Sequence, residues 1–250
     1  MKNLNLVKTQ DGTFTARSQT FDECYHSTRD GAFRESLKKH VEPAFSLVGP
    51  SKERLTVLDI CFGLGYNTLT TLYYVKKNHL SQKIRIFSPE FDEALVRSLS
   101  DFPYPDELLP FKGVIEAVAA TGRYDDGNFS VEVVFGDARD FLKKSGETFD
   151  IVYQDAFSPK KNPLLWTKEY FADLAERLAK DGIITTYSSA TPVRMGMAEN
   201  GLNLFVPPNP EVRSGTIASF RDDLPLAPID MALKKERNPR AAPLFDKDFK

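Results

Sequence analysis

Four acidic residues of the 250-residue chain each follow a short apolar segment: Asp59, Glu90, Asp137 and Asp155. Carboxylates in such positions can bind amines or hydroxyl groups. In an open α/β sheet, ligands bind in the crevice beyond the carboxyl ends of the strands. If the apolar segments are parallel strands, all four carboxylates converge on one crevice, a placement that solvation alone explains poorly.

The first carboxylate opens the segment Asp59-Ile60-Cys61-Phe62-Gly63-Leu64-Gly65-Tyr66-Asn67. Glycines in a strand-to-helix turn let the backbone approach a ligand, and the helix N-terminus offers free N–H groups. A dinucleotide fingerprint needs a third glycine where Thr68 stands. The spacing is closer to the acidic-x-G-x-G-x-G loop of S-adenosylmethionine (SAM) enzymes, with Cys61 at the first glycine position. A tight turn without any ligand is the alternative.

Glu90 and Asp137 stand where a nucleoside cofactor would need polar groups. Glu90 follows the glycine turn by about 25 residues, a spacing typical of a carboxylate that accepts hydrogen bonds from ribose hydroxyls. An exposed surface glutamate is the alternative. Asp137, in Gly136-Asp137-Ala138, could face an adenine amino group or cap the next helix, and the two roles are compatible.

The fourth carboxylate begins the most specific segment, Asp155-Ala156-Phe157-Ser158-Pro159-Lys160-Lys161-Asn162-Pro163-Leu164-Leu165-Trp166. A loop bounded by prolines leads from the end of an apolar segment into a helix that carries the only tryptophan. Alternatively, the loop is only a rigid connection and Trp166 is a core residue without a role in binding.

The elements that must position these residues alternate between strand and helix. We predict strands at residues 55–60, 84–87, 129–135, 149–153 and 183–187, and helices at 67–77, 92–99 and 166–179. This alternation predicts an α/β fold with a mostly parallel sheet flanked by helices. Residues 202–206 and 216–220 could form a terminal antiparallel pair.

The rest of the chain suggests three units. Residues 1–50 are an expected N-terminal extension, with a strand at 13–16 and a helix at 32–47. The central domain spans 51–222 and includes a helical insertion at about 101–127. Residues 223–250, rich in proline and charge, are an expected surface tail.

Composition excludes several classes of protein. With 33 Lys and Arg against 35 Asp and Glu, the net charge of −2 gives no general support for nucleic-acid binding, so RNA would need a local basic patch. No apolar run reaches the ~20 residues of a membrane span, and the N-terminus lacks a signal peptide pattern. Two cysteines and three scattered histidines predict no metal site and favour a reducing, cytoplasmic location.

Together these motifs resemble the methyltransferase part of MnmC, the bifunctional tRNA 5-methylaminomethyl-2-thiouridine biosynthesis protein. Residues 155–166 match its D-[AG]-F-[AS]-P-x-K-N-P-x-x-W signature, and residues 62–67 match its F-G-x-G-x-N turn. The segments 25–27 and 31–35 are similar to its N-terminal Y-x-S…G…E region. With Gly182 and Arg194, the matches cover roughly residues 21 to 205, while Cys61 departs from a family glycine.

The resemblance implies a Rossmann-like, SAM-dependent methyltransferase. Its implied reaction is methyl transfer to the aminomethyl nitrogen on the wobble uridine of tRNA. The implied cofactor-binding residues are Asp59, Phe62, Gly63, Gly65, Asn67, Glu90, Asp137 and Ala138. Because 250 residues leave no room for the flavin-dependent oxidase half, we expect a stand-alone methyltransferase that uses an aminomethyl precursor made by other enzymes.

Asp155 is the expected catalytic residue, because a carboxylate stabilises positive charge that develops on the attacking nitrogen. The amine must first lose a proton, since its pKa is ~10, and loss to Asp155 or to water is compatible with the sequence. Tyr25 and Phe157 are expected to stack on the uridine, which is worth ~1–3 kcal/mol per base. Lys160, Lys161 and Arg194 are the expected RNA contacts.

Two other functions stay open. The chain could be a small-molecule amine methyltransferase or an aminopropyltransferase like spermidine synthase, which also places acidic residues around an aminated ligand. It could also bind SAM or RNA without catalysis. The intact segment 155–166 counts against both.

Overall fold

A computed structural model describes residues 4–49, 52–209 and 211–249, and two β-sheets organise them. The smaller sheet is antiparallel and contains β1 (Asn5–Lys8), β2 (Phe14–Ser18) and β3 (Glu23–Cys24). The strands of the larger sheet are β4 (Arg54–Ile60), β5 (Lys83–Glu90), β6 (Arg123–Asp125), β7 (Phe129–Phe135), β8 (Phe149–Gln154), β9 (Leu178–Thr186), β10 (Asn203–Phe205) and β11 (Thr216–Ser219).

The larger sheet has the spatial order β10-β11-β9-β8-β4-β5-β7-β6. Its five inner strands pair in parallel, while β6, β11 and β10 pair in antiparallel at the edges. The predicted α/β class is therefore confirmed, and so is the terminal antiparallel pair. The end of the predicted helix 166–179 and the start of the predicted strand 183–187 were wrong: β9 begins at Leu178, which pairs with Phe149, so the helix ends at Arg177.

The helices lie on both faces of the larger sheet, and each face has its own apolar core. They are α1 (Ala32–Glu35), α2 (Glu42–Leu47), α3 (Tyr66–Lys77), α4 (Glu93–Arg97), α5 (Lys112–Thr121), α6 (Ala138–Lys144), α7 (Lys168–Arg177), α8 (Thr191–Ala198) and α9 (Met231–Arg237). Short 3₁₀ turns occur at Leu99–Asp101, Leu109–Phe111, Pro163–Leu165 and Asp246–Phe249. No helix among the described residues is long and apolar enough to cross a membrane.

The N-terminal segment packs into the body of the protein. A π-helical segment, Ser36–Val41, joins α1 to α2 and packs on α3 and β9. Its Val41 is fully buried in the same core as α3. Such π-helical insertions are rare and often occur at functional sites. The residues predicted as an extension thus form one wall beside the central sheet.

The C-terminal segment is exposed along α9, but it is not free of the body. The carboxylate of Asp246 accepts two hydrogen bonds from the Arg139 guanidinium, at 2.7 and 2.6 Å, and one from Thr167 Oγ1 at 2.7 Å. These bonds fasten the segment to α6 and to the start of α7. The expected surface tail is therefore anchored near its end.

Candidate active site

A cavity of about 1210 Å³ opens at the carboxyl ends of β4, β5, β7 and β8. This volume exceeds the roughly 300–1,000 Å³ of ordinary small-molecule sites. Most of the predicted site residues line it, namely Tyr25, Phe62, Gly63, Asn67, Glu90, Asp137, Ala138, Asp155 and Phe157. The walls also include residues that the sequence did not single out, from the N-terminal segment and from the loops after β5 and β9.

The glycine turn has the backbone that its sequence predicts. Gly63 and Gly65 have φ of +54° and +74°, in the left-handed region that favours glycine. A Cβ on Gly65 would lie 3.0 Å from side-chain atoms of Phe62 and Ile115, so Gly65 shapes the start of α3 without lining the cavity. Cys61 also has a left-handed φ, +67°, a conformation that a glycine at this position would adopt more readily.

Glu90 closes the turn from the neighbouring strand and is 8% exposed. Its Oε2 accepts the Gly63 N–H at 2.9 Å, and its Oε1 accepts the Asp92 N–H at 2.7 Å. Burial raises the pKa of Glu90, and these two N–H groups oppose that rise. Each carboxylate oxygen has a second lone pair, so the group can still accept hydroxyl donors. Phe91, which the sequence reasoning missed, is 81% exposed and lines the cavity beside it.

Asp137 caps α6 by accepting the Arg139 N–H at 2.7 Å and the Asp140 N–H at 3.4 Å. The predicted capping role is thus confirmed. The carboxylate is exposed and lines the cavity together with Ala138, and its contact with an adenine stays a prediction.

Asp59 does not join the other three carboxylates. It is 1% exposed and accepts hydrogen bonds from Thr68 Oγ1 at 2.9 Å and Asn67 Nδ2 at 3.2 Å, both from the first turn of α3. Burial raises the pKa of Asp59 to about 7. The expectation that four carboxylates converge was therefore wrong for this one, because its side chain is enclosed beneath the helix and holds Asn67.

Asp155 lies at the floor of the cavity with a side chain that is only 9% exposed. Its Oδ2 accepts a hydrogen bond from Asn67 Nδ2 at 2.9 Å, and its Oδ1 lies 3.4 Å from His40 Nε2. Burial opposes ionisation, but His40, His26 and the hydrogen bond from Asn67 together outweigh it and hold the pKa of Asp155 below its ordinary value. The site therefore presents an ionised, nearly enclosed carboxylate.

Two histidines that the sequence reasoning did not assign to the site lie around this carboxylate. His40 is fully buried on the π-helical segment, and its Nδ1 lies 3.0 Å from Thr185 Oγ1 on β9. His26, just after β3, lines the cavity itself. The signals were weak: His26 stands inside the Tyr25-His26-Ser27 motif, and no spacing rule connects either histidine to Asp155.

Aromatic rings form one lip of the cavity. Phe157 stacks on Phe21 with ring centroids 4.6 Å apart, and the Tyr25 ring lies 5.0 Å from Phe157 at a tilt of 54°. Trp166 is fully buried, as expected of a core residue, and its Nε1 donates to the Phe157 carbonyl at 2.7 Å. The tryptophan therefore fixes the loop that presents Phe157.

The expected basic contacts divide into two groups. Lys160 and Lys161 are exposed outside the cavity wall, and Lys161 Nζ lies 3.6 Å from Asp22 Oδ2. Arg194 is 7% exposed and donates to Thr216 Oγ1 and to the Gly215 carbonyl, both at 2.9 Å. Its prediction as an RNA contact was wrong, because its guanidinium binds these internal acceptors.

Two other arginines, Arg29 and Arg213, line the cavity and are exposed. Neither has an ion pair with another described residue. Among the residues that the structure describes, no three His, Cys, Asp or Glu side chains are grouped to hold a metal ion.

Comparison with known sequences identifies a matching family model and several relatives. The sequence model of an S-adenosyl-L-methionine-dependent methyltransferase family matches residues 112–219. The protein MJ0670 of Methanocaldococcus jannaschii is 34% identical over 203 residues, which cover 78% of this chain and 53% of MJ0670. The bifunctional tRNA 5-methylaminomethyl-2-thiouridine biosynthesis protein MnmC of Ralstonia nicotianae is 29% identical over 94% of this chain. The chain thus spans about half of MJ0670 and 36% of that MnmC.

A solved structure extends the likeness to the whole fold. The crystal structure of MnmC2 from Aquifex aeolicus superposes with a TM-score of 0.83 at 31% identity, covering 99% of this chain and 80% of the other. The matching family model is that of S-adenosyl-L-methionine-dependent methyltransferases, so SAM is the cofactor. The chain belongs to the family of SAM-dependent methyltransferases that contains MnmC2 and the methyltransferase part of MnmC.

Proposed function

We propose that the protein methylates the aminomethyl nitrogen on the wobble uridine of tRNA, with SAM as methyl donor. The observation that carries the proposal is the enclosed, ionised Asp155 carboxylate in the same cavity as the glycine turn. A cationic aminomethyl group is a matched ligand for such a carboxylate. The MnmC relatives are named as tRNA 5-methylaminomethyl-2-thiouridine biosynthesis proteins, which supports tRNA as the source of that amine.

The residues divide between cofactor and acceptor. When bound, SAM supplies a methyl group on a sulfonium sulfur. Gly63, Glu90, Asp137 and Ala138 hold the nucleoside, with Glu90 on the ribose hydroxyls. Asp155 holds the acceptor nitrogen in line and stabilises the positive charge that develops on it.

Asn67 and His40 keep the Asp155 carboxylate in place. Asn67 Nδ2 contacts both Asp59 and Asp155, so it connects the first turn of α3 to the acceptor side. His40 approaches the other oxygen from the π-helical segment. Held between two side chains, the carboxylate needs little reorganisation when the amine arrives.

The rim of the cavity suits a nucleotide. Phe157 and Tyr25 can stack on the uridine, for ~1–3 kcal/mol. Arg29 and Arg213 are exposed cations that line the cavity, and Lys160 is an exposed cation on the loop between Phe157 and Asn162, so all three can bind the flanking phosphates. A tRNA substrate would place the protein in the cytoplasm.

The test is to incubate the protein with labelled SAM and tRNA that carries the 5-aminomethyl wobble base, then to identify methylated nucleosides by mass spectrometry. We expect one new methyl group on that nitrogen and none on tRNA that lacks the aminomethyl group. Methylation of polyamines without tRNA methylation would instead support a small-molecule amine methyltransferase. Binding of SAM and tRNA without transfer would support a binding module.

A further inference from the structure

The proposed function leaves one proton without an acceptor. A primary alkylamine has a pKa of ~10, so it enters the site as an ammonium without a free lone pair. The ionised Asp155 stabilises that ammonium further, because an opposite charge favours the charged form. Asp155 is therefore a poor acceptor for that proton, and a neutral group in the site is better suited to take it before the nitrogen attacks.

His26 has the position for this task. It lines the cavity, its side chain is 6% exposed, and its backbone N–H donates to Thr15 Oγ1 at 3.1 Å. The ring packs edge-on against Tyr66, with centroids 5.0 Å apart. Its enclosed Nδ1 lies 3.9 Å from Glu35 Oε2 and has no hydrogen-bond partner among the described residues. With Nδ1 turned toward Glu35, the opposite edge of the ring, with Nε2, is left for the cavity.

The charged and titratable groups around His26 come from several elements. Burial lowers the pKa of His26, which keeps the imidazole neutral near pH 7. His40 on the π-helical segment acts in the same direction. Asp155 after β8, Glu35 on α1 and Asp11 between β1 and β2 act in the opposite direction and favour the protonated ring. Neutral at rest, the ring also has carboxylates near it that stabilise the imidazolium once formed.

We propose that His26 is the proton acceptor of the methyl transfer, a role that rests on the proposed amine substrate. The ammonium held by Asp155 gives one proton to His26 Nε2, which frees the nitrogen lone pair. That lone pair forms the N–C bond while the C–S bond breaks and its electron pair goes to sulfur. The product leaves as a protonated secondary amine, and the imidazolium returns its proton to solvent through the cavity.

The first test compares single-turnover rates of the wild type and His26→Ala at saturating SAM and tRNA. Loss of a general base costs about 10²–10⁴-fold, so we expect at least a 10²-fold slower transfer at pH 7. Added imidazole should restore the rate of His26→Ala several-fold, and higher pH should narrow the gap between the two proteins. His79→Ala, at an exposed histidine that lines a different cavity, is the matched control.

His26→Gln is a second variant whose side chain has a similar length, so it disturbs the packing less than His26→Ala. Binding of S-adenosylhomocysteine to each variant tests whether the variant is folded. If both His26 variants bind it normally and transfer methyl at the wild-type rate, the proposal is wrong. A folded His26→Ala that is slow but not rescued by imidazole at any pH would also overturn it, since that result indicates packing alone.

A second measurement does not depend on turnover. The chain has three histidines, so the ring nitrogens can be assigned by NMR with the His26→Gln and His79→Gln variants. We expect His26 to be neutral at pH 7.5 and to gain a proton at a lower pH than a free histidine. A His26 that stays protonated or never titrates overturns the proposal. Absence of methyl transfer by the wild type would count against the proposed function, and this titration would still decide whether His26 can accept a proton.

Discussion

The two sides of the cavity are built in different ways. The cofactor side consists of strand ends and the turns that follow them, and its polar contacts are largely backbone groups, such as the Gly63 N–H on Glu90. The acceptor side gathers side chains from distant parts of the chain. His40 and His26 both come from the N-terminal segment: His40 lies 3.4 Å from Asp155, which follows β8, and His26 lines the same cavity.

This difference has a chemical reason. The cofactor is the same in every turnover, so backbone amides and one carboxylate can hold it. A short sequence motif encodes these groups. Proton transfer and charge stabilisation need titratable side chains with neighbours that adjust their pKa values. Those neighbours can come from any element that packs nearby, so only the folded chain brings them together.

The largest expected effect is a loss of methyl transfer that leaves cofactor binding intact. Asp155→Ala removes the carboxylate that stabilises the developing ammonium, so methyl transfer should slow by about 10²–10³-fold or more. Binding of S-adenosylhomocysteine, measured by calorimetry, should change little because Asp155 lies on the acceptor side. Asp106→Ala, at an exposed aspartate, is the control. Equal loss of cofactor binding would show that the two sides are not separable.

A second prediction concerns Asp59, which lies between the two sides beneath α3. Its pKa of about 7 lies above its ordinary 3.8, so the folded protein binds the extra proton. This contribution to stability is complete below about pH 4 and is lost as the pH rises to about 7. Asp59→Asn should therefore remove a decline of about 3 kcal/mol in the free energy of unfolding between pH 4.5 and 7.5, an order-of-magnitude figure.

Urea denaturation at the two pH values measures that decline. The exposed variant Asp140→Asn is the control and should keep the wild-type pH dependence. If Asp59→Asn and the wild type lose the same stability between pH 4.5 and 7.5, the Asp59 carboxyl does not titrate as its burial indicates.

A third prediction tests the cofactor side alone. Glu90→Gln replaces one acceptor oxygen by an NH₂ group that must face the N–H of Gly63 or Asp92. We expect SAM affinity to fall about tenfold, or about 1.4 kcal/mol, with the KM for tRNA nearly unchanged. Glu116→Gln, at an exposed glutamate that pairs with Lys112 and does not line the cavity, is the matched control. A raised KM for tRNA with normal SAM affinity would contradict the assignment of Glu90 to the cofactor side.

The smallest expected effect lies outside both sides, on the rim. Lys160→Ala should weaken tRNA binding and reduce the slope of log affinity against log salt by about 0.7–0.9, as for one lost phosphate contact. Lys161→Ala should have less effect, because Lys161 Nζ already lies 3.6 Å from Asp22. Fluorescence anisotropy at several salt concentrations measures both. Unchanged affinity and slope in the double variant would exclude phosphate contacts by this pair.

Much of the fold follows from local patterns in the sequence. The inner strands, α3 and the terminal antiparallel pair could be predicted because their apolar periodicity and turn residues are local. The end of α7 could not, since Leu178 joins β9 by pairing with β8. Asp59 was assigned to a ligand from the glycine-turn motif, and Arg194 from its charge and the family resemblance, but burial against α3 and β11 decided otherwise.

The sequence by itself determined the α/β architecture, the left-handed turn at Gly63 and Gly65, and the three carboxylates at the strand ends, because each depends on neighbours within a few residues. Only the tertiary structure decided which side chains surround Asp155. The π-helical segment brings His40 to its carboxylate, and β3 brings His26 to the cavity wall. Contacts between residues so far apart depend on how the elements pack, and no short motif records that packing.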